Sequence, residues 1–173
     1  MKNFKVFVAA IVLMVTFSTV QAQITKAELT ATGLTCSMCS KATYKQLVSI
    51  PEVEKVETDL NKTAFILYFK EGSTINVNSL KKKVEDAGFS VGQLIVTMKL
   101  NNQKAENNAS FIQDNISYTF MNSTPKLLTG EVKVKIMDKG FVTEKEYKQL
   151  VKLAKQYPNY SKTTANTYHI KTM

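Results

Sequence analysis

The chain has 173 residues and a formal net charge of +9, with 23 Lys and Arg against 14 Asp and Glu. This length fits one ordinary domain or two small ones. The lysines are scattered over several segments, which argues against nucleic-acid binding and against attachment to a membrane surface.

The first 22 residues have the features of an export signal. Lys2 and Lys5 precede an uncharged apolar run over residues 6–20, and residues 20–22 include the small side chains that signal peptidase requires. The run is shorter than the roughly 20 residues of a membrane-spanning helix. We therefore expect cleavage after residue 22, a periplasmic or secreted protein, and no stable membrane insertion. An uncleaved anchor is the alternative. Cleavage removes both lysines and lowers the charge from +9 to +7.

The next segments predict a strand and a helix. Apolar and polar residues alternate over residues 24–32, as in a half-buried strand, and Gly33 ends the alternation. From Cys39 to Ser49 the apolar residues return at helical spacing, and Pro51 closes the segment. The apolar positions of this helix are Ala42, Leu47 and Val48.

Residues 53–100 predict two strands, a second helix and a last strand. The strands cover residues 53–60 and Ala64–Phe69, and the second is apolar on both faces, so it should be interior. Asn76 or Asn78 caps the helix, which carries Val77, Leu80 and Val84 on one face and ends near Gly88. Apolar and polar residues alternate again over residues 94–100, which predicts the last strand. The order βαββαβ is that of the α+β ferredoxin-like sandwich, with four antiparallel strands under two helices.

Residues 101–110 are rich in asparagine and lack any period, so they predict a linker between a domain at residues 23–100 and a small α+β module at residues 111–173. The module has a ββαβ pattern: strands at residues 116–120 and 127–137, a helix capped by Thr143 and stopped by Pro158, and a short strand at residues 168–170. It contains no recognisable motif.

The only two cysteines lie in the loop before the first helix, Gly33-Leu34-Thr35-Cys36-Ser37-Met38-Cys39. Two thiols at this spacing can bind one soft ion, and the start of a helix favours the thiolate form. The same spacing also occurs in thiol redox enzymes, in half of a zinc site and in structural disulfides. A disulfide closing so short a loop restrains little of the unfolded chain, which favours a chemical role.

This loop, the helix after it and Asp86-Ala87-Gly88-Phe89 together resemble the heavy-metal-associated domain family. That family includes copper chaperones, amino-terminal domains of copper-pumping ATPases and periplasmic mercury-binding proteins. The resemblance covers about residues 24–99. It implies that Cys36 and Cys39 are the metal ligands and that Gly33 and Thr35 shape the loop. Phe89 falls where the ATPase domains and mercury-binding relatives tend to have an aromatic residue.

The leading hypothesis is an exported Cu(I) carrier that uses Cys36 and Cys39 and is not an enzyme. Hg(II) would also accept two thiolates, whereas Zn(II) would need more ligands than this loop offers. The expected partner is a metal donor or acceptor with an acidic face and its own thiolate site. The alternatives are a thiol–disulfide oxidoreductase, a mercury-binding scavenger, and an adaptor in which residues 111–173 are the working part. His169, the only histidine, is expected to be an ordinary surface or edge-strand residue.

Overall fold

The computed structural model describes residues 23–59, 61–153, 156–157, 160 and 166–173. The predicted signal segment, Leu60 and Pro158 lie outside the described residues. In the part of the chain that is described, no helix is long and apolar enough to cross a membrane.

The described residues form one eight-stranded sheet and three helices. The strand order is β2-β3-β1-β4-β7-β8-β6-β5. The β6–β8 pair is parallel, and the other neighbouring strands are antiparallel. In chain order the elements are β1 (Ile24–Thr32), α1 (Ser37–Val48), β2 (Val53–Asp59), β3 (Ala64–Phe69), α2 (Val77–Asp86), β4 (Ser90–Ala105), β5 (Ser110–Gln113), β6 (Ile116–Phe120), β7 (Lys126–Ile136), α3 (Glu144–Lys152) and β8 (Thr167–Thr172).

The first six elements form the predicted ferredoxin-like unit. Their four strands lie in the antiparallel order β2-β3-β1-β4, which is the split βαβ arrangement. Helices α1 and α2 cover one face of these strands and bury Leu47, Val77, Leu80 and Val84 completely. Each fully buried leucine contributes about 1.5–3 kcal/mol through the hydrophobic effect. The βαββαβ prediction for this segment is therefore confirmed.

The buried face of helix α1 matches the predicted one only at Leu47. The helix starts two residues earlier and buries Thr43 and Leu47, whereas Ala42 and Val48 are exposed. Threonine is tolerated in this apolar position because its hydroxyl donates a hydrogen bond to the Cys39 carbonyl, at 3.2 Å. A buried hydroxyl without such a partner would cost free energy. The apolar pattern therefore predicted the burial of Leu47 correctly, but it missed Thr43 and was wrong for Ala42 and Val48.

Strand β4 extends into the segment predicted to be a linker. It continues to Ala105 and pairs again with β7 after an irregularity between Leu100 and Gln103. Asn102 lies in this irregularity with a left-handed φ of 49°, which asparagine adopts more readily than most residues. The sheet includes strands from before and after this segment of the chain. So does the larger of the two clusters of buried apolar residues. The division into two domains stays a prediction.

The predicted ββαβ module is not confirmed, because the described part of residues 110–173 contains four strands and one helix. The unpredicted strand is β5, which has four residues and pairs with β6 through a tight turn at Asp114 and Asn115. Both turn residues have left-handed φ values, 51° and 61°, as in the type I′ turns of hairpins. A four-residue strand is too short to give a clear alternation.

Helix α3 lies on the face of the sheet opposite α1 and α2. Lys135 points to this face, between the inward-facing Val134 and Ile136, and its Nζ lies 2.7 Å from the Glu146 carboxylate. The helix packs through Tyr147, Leu150 and Val151 on a second buried cluster. We call this second cluster the α3 cluster, and it consists of Met121, Met137, Tyr157 and Tyr160.

The expectation that His169 is a surface or edge residue is wrong. Its strand, β8, lies between β7 and β6, and His169 is only 3% exposed. The Asp138 carboxylate accepts a hydrogen bond from the His169 backbone N–H at 2.6 Å and contacts the ring Nδ1 at 2.8 Å. The burial of this polar side chain therefore depends on a residue in a distant turn.

Candidate metal centre at the start of α1

The loop between β1 and α1 packs on the apolar core on one side. Gly33 has a left-handed φ of 87°, which non-glycine residues rarely adopt. Leu34 is half-buried and packs against the larger buried cluster. Thr35 and Cys36 are exposed at the top of the loop. The loop is therefore packed against the core at Leu34 and accessible to solvent at Thr35 and Cys36.

Cys36 is the N-cap of α1. Its backbone is extended, and its Sγ accepts a hydrogen bond from the Cys39 N–H at 3.2 Å. Its carbonyl accepts from the N–H groups of Cys39 and Ser40, at 3.1 and 3.2 Å. The sulfur therefore lies at the positive end of the helix dipole, which stabilises negative charge on a reduced thiol.

Cys36 and Cys39 are joined by a disulfide, with their Cα atoms 5.3 Å apart. This separation lies within the usual range for bridged cysteines. Cys36 is exposed and Cys39 is half-buried. The structure brings together the two residues that the sequence selected, but in the oxidised state, so reduction must precede any binding of metal by both sulfurs.

Met38 lies between the two cysteines and is 71% exposed. Its side chain therefore points towards solvent from the first turn of α1. Within the described residues, no group of three or more His, Cys, Asp or Glu side chains is placed to hold a metal ion. Among these residue types, the loop contributes only its cysteine pair to a metal.

Phe89 reaches the cysteine loop because of the way α2 ends. Gly88, with φ 87°, donates its N–H to the Glu85 carbonyl at 2.8 Å, and Phe89 donates to Val84 at 3.1 Å. These two bonds form a Schellman motif. They turn the chain so that Phe89 is half-buried and its Cδ1 lies 3.6 Å from where a Cβ on Gly33 would stand. The Asp-Ala-Gly-Phe motif thus supports the loop through packing.

A cleft of about 570 Å³ lies beside the loop. Thr32, which directly precedes Gly33, forms one wall, and the turn and helix start at residues 139–144 form another. Lys81 of α2 packs so closely on Gly140 that a Cβ there would stand 2.6 Å from its Cε. Nothing local in residues 139–144 indicates that they lie close to Thr32 and to α2, so the sequence does not predict this cleft.

Neither a protein-family model nor a curated protein sequence matches the chain. Several solved structures are similar to a segment of it, among them the following three. The CopZ metallochaperone is 24% identical, over 38% of this chain and 97% of that one, with a TM-score of 0.35. The yeast copper transporter domain CCC2A is 26% identical, over 38% and 88%, with a TM-score of 0.34. A copper binding domain from HMA7, a P-type ATPase, is 27% identical, over 38% and 88%, with a TM-score of 0.34.

The fold and the loop define the class of the described chain: a sheet protein whose ferredoxin-like unit carries a cysteine pair at the start of its first helix. Each of the three likenesses covers only a segment of the chain.

Proposed function

We propose that the reduced protein binds one Cu(I) ion between Cys36 and Cys39 and passes it to another protein. The observation that supports this proposal is the position of both sulfurs side by side at the start of α1, where they are joined by a disulfide and Cys36 is exposed. Thiolates are soft ligands and prefer Cu(I) to hard cations.

The donor set fits a two-coordinate ion. Cu(I) and Hg(II) both accept two thiolates in a linear arrangement, whereas Zn(II) is normally four-coordinate. Copper is our choice over mercury because of the general need to handle copper, not because of any residue in the loop. Exposure of Cys36 leaves room for a partner's thiolate to contact the ion before either of its first two ligands is released. Transfer can then proceed without free metal.

Export of the protein remains a proposal based on residues 1–22. The charge of +7 after cleavage would attract an acidic partner and speed its association. This attraction would weaken at high salt, because the screening length at physiological ionic strength is about 8 Å.

The disulfide favours a second candidate, a thiol–disulfide oxidoreductase. The two candidates differ in what the cysteines exchange. A carrier binds one Cu(I) tightly when reduced, whereas an oxidoreductase speeds the reduction or oxidation of a substrate disulfide and passes through a mixed disulfide.

The test is a Cu(I) titration of the reduced protein against a competing chelator without oxygen. We expect one equivalent to bind, and Cys36→Ser or Cys39→Ser to weaken binding by at least about 100-fold, or about 2.7 kcal/mol. Met38→Leu is the control and should bind as the unaltered protein does. If either serine variant keeps full affinity, the cysteines are not the ligands. If no Cu(I) binds but the protein catalyses disulfide exchange, the second candidate is correct.

A further inference from the structure

A cavity of about 300 Å³ lies between the sheet and α3, and none of its lining residues belongs to the cysteine loop. Its walls include the buried side chains of Met121 and Met137, and Leu150 and Leu153 add apolar surface from the α3 side. At about 30 Å³ for each water-sized group, the cavity holds roughly ten non-hydrogen atoms. Sites for small ligands have this character, with mostly apolar walls and a few polar groups.

Lys171, in the wall of this cavity, lacks an acidic partner among the described residues. It pairs with Lys135 of the neighbouring strand β7, so the two ammonium groups lie on the same face of the sheet. Glu146 of α3 lies 2.7 Å from the Nζ of Lys135 and pairs with that lysine. Like charges directly opposite each other on neighbouring strands are destabilising, so an anion beside Lys171 would be favourable.

Strand pairing places this lysine beside the apolar wall of the cavity. The Met121 N–H donates to the Ile170 carbonyl at 2.8 Å, and β6 and β8 run parallel, so Met121 lies next to Lys171. Glu146 and Leu150, which also line the cavity, are four residues apart and therefore lie on one face of α3. A ligand in the cavity can thus contact Lys171 at one end and apolar side chains along the rest of its length.

We propose that this cavity binds a small molecule with an apolar body and a carboxylate, such as a medium-chain fatty acid, and that Lys171 pairs with the carboxylate. A hydrogen bond between an ammonium and a carboxylate is stronger than one between neutral groups. Glu146 is neutralised by Lys135, whose Nζ lies 2.7 and 2.9 Å from its two carboxylate oxygens. The positive charge of Lys171 is therefore left for the ligand. Neither cysteine takes part, so the site is independent of the proposed metal binding.

Octanoate is the probe, because its size of about ten non-hydrogen atoms matches that of the cavity. 1-Octanol has the same apolar chain without the charge, and acetate has the charge without the chain. Each is titrated into the mature chain with its disulfide intact, and ¹H–¹³C spectra follow the methionine ε-methyl signals. Octanoate should shift the signals of Met121 and Met137 to saturation, while that of Met98, buried in the other cluster, should not move. Octanol should bind at least about tenfold more weakly, and acetate should cause no shift.

Two lysine variants test the role of the charge. Lys171→Gln should weaken octanoate binding by at least about tenfold, to the level of octanol. Urea unfolding of this variant should show no loss of stability, because the substitution removes a like-charge pair. Lys148→Gln, at an exposed position of α3 outside the cavity, is the control and should bind octanoate as the unaltered protein does.

Four results would each overturn the proposal. Octanoate leaves the signals of Met121 and Met137 unchanged, octanol binds as tightly as octanoate, or Lys171→Gln keeps full affinity. The fourth is a loss of stability in Lys171→Gln, which would show that the charge of Lys171 serves the fold. None of these results would bear on Cu(I) binding by the reduced cysteines.

Discussion

Phe89, three residues after the end of α2, packs beside Gly33, the first residue of the cysteine loop. Its Cδ1 lies 3.6 Å from the position that a Cβ at residue 33 would occupy. Gly33 has φ 87°, and Gly88 places Phe89 through the same left-handed conformation. The end of one helix therefore supports the loop that starts the other, and a change at Gly33 should alter the geometry of the two cysteines.

Gly33→Ala should lower the free energy of unfolding by about 1–2 kcal/mol, because an alanine is strained at this φ. It should also weaken Cu(I) binding, since relaxing the strain moves the loop. Urea unfolding and a Cu(I) titration measure the two effects. Gly72→Ala is the matched control: Gly72 has φ 75° in the turn after β3, with nothing within 4 Å of an added Cβ. It should lose similar stability and keep full affinity. Equal affinities in the two variants would show that Gly33 does not shape the site.

The ferredoxin-like unit could be predicted because its signals are local. Val77, Leu80 and Val84 follow the helical period, and Asn76 supplies the cap that the sequence suggested. The alternating apolar residues of 94–100 are all buried in the core, although residues 95 and 97 on the other face of the strand are buried too. The cysteine pair could be selected because the chain has no other cysteines.

The remaining features depend on contacts between distant segments. His169 is buried because Asp138 provides two hydrogen-bond partners, and no pattern near His169 indicates this. Strand β4 crosses a polar segment because β7 pairs with it. The oxidised state of Cys36 and Cys39 also cannot be predicted from their spacing, since the same spacing occurs in thiol pairs and in disulfides.

Glu28→Gln should remove an ion pair between β1 and β7. Lys133 Nζ lies 2.7 Å from the Glu28 carboxylate, and this hydrogen bond holds the pKa of Glu28 below its ordinary value. Because the pair is partly exposed, we expect a loss of at most about 1 kcal/mol at pH 7. The ion pair stabilises the folded protein fully above about pH 4.3, the pKa of a glutamate in the unfolded chain. This stabilisation disappears as the pH falls through the lower pKa that Glu28 has in the folded protein.

Urea unfolding between pH 3 and 7 measures this difference. Glu71→Gln, in an exposed turn, is the control and should match the unaltered protein at each pH. A deficit in Glu28→Gln that stays constant down to pH 3 would show that the charge of Glu28 is not its cause.

A fragment of residues 23–106 should keep the first four strands and both helices but be less stable than the mature chain. It loses β7, which pairs with β4 along most of its length, and exposes Leu100 and other apolar residues near that edge. Each such residue contributes about 1.5–3 kcal/mol when fully buried, so we expect a loss of at least about 2 kcal/mol. Circular dichroism with thermal unfolding and a Cu(I) titration measure stability and binding. An insoluble or unfolded fragment would mean that the two halves fold only as one unit.

Tyr168→Phe should reduce stability in a way that depends on alkaline pH. The Tyr168 hydroxyl lies 3.3 Å from Asn76 Oδ1, the cap of α2, and so links β8 to the first half of the chain. Loss of this hydrogen bond should cost about 0.5–1.5 kcal/mol at pH 7. Burial, followed by the charge of Asp138, raises the pKa of Tyr168 to about 12. The unfolded phenol ionises near pH 10. The stabilisation is therefore complete below about pH 10 and falls as the pH rises towards 12.

The deficit of Tyr168→Phe should accordingly shrink between pH 9 and pH 11.5, as measured by urea unfolding across this range. Other buried tyrosines titrate in both proteins, so their effects cancel in the difference. Tyr44→Phe, on the exposed side of α1, is the control and should differ from the unaltered protein by the same amount at every pH. If the deficit of Tyr168→Phe is also constant up to pH 11.5, burial does not raise the pKa of Tyr168 in the folded protein.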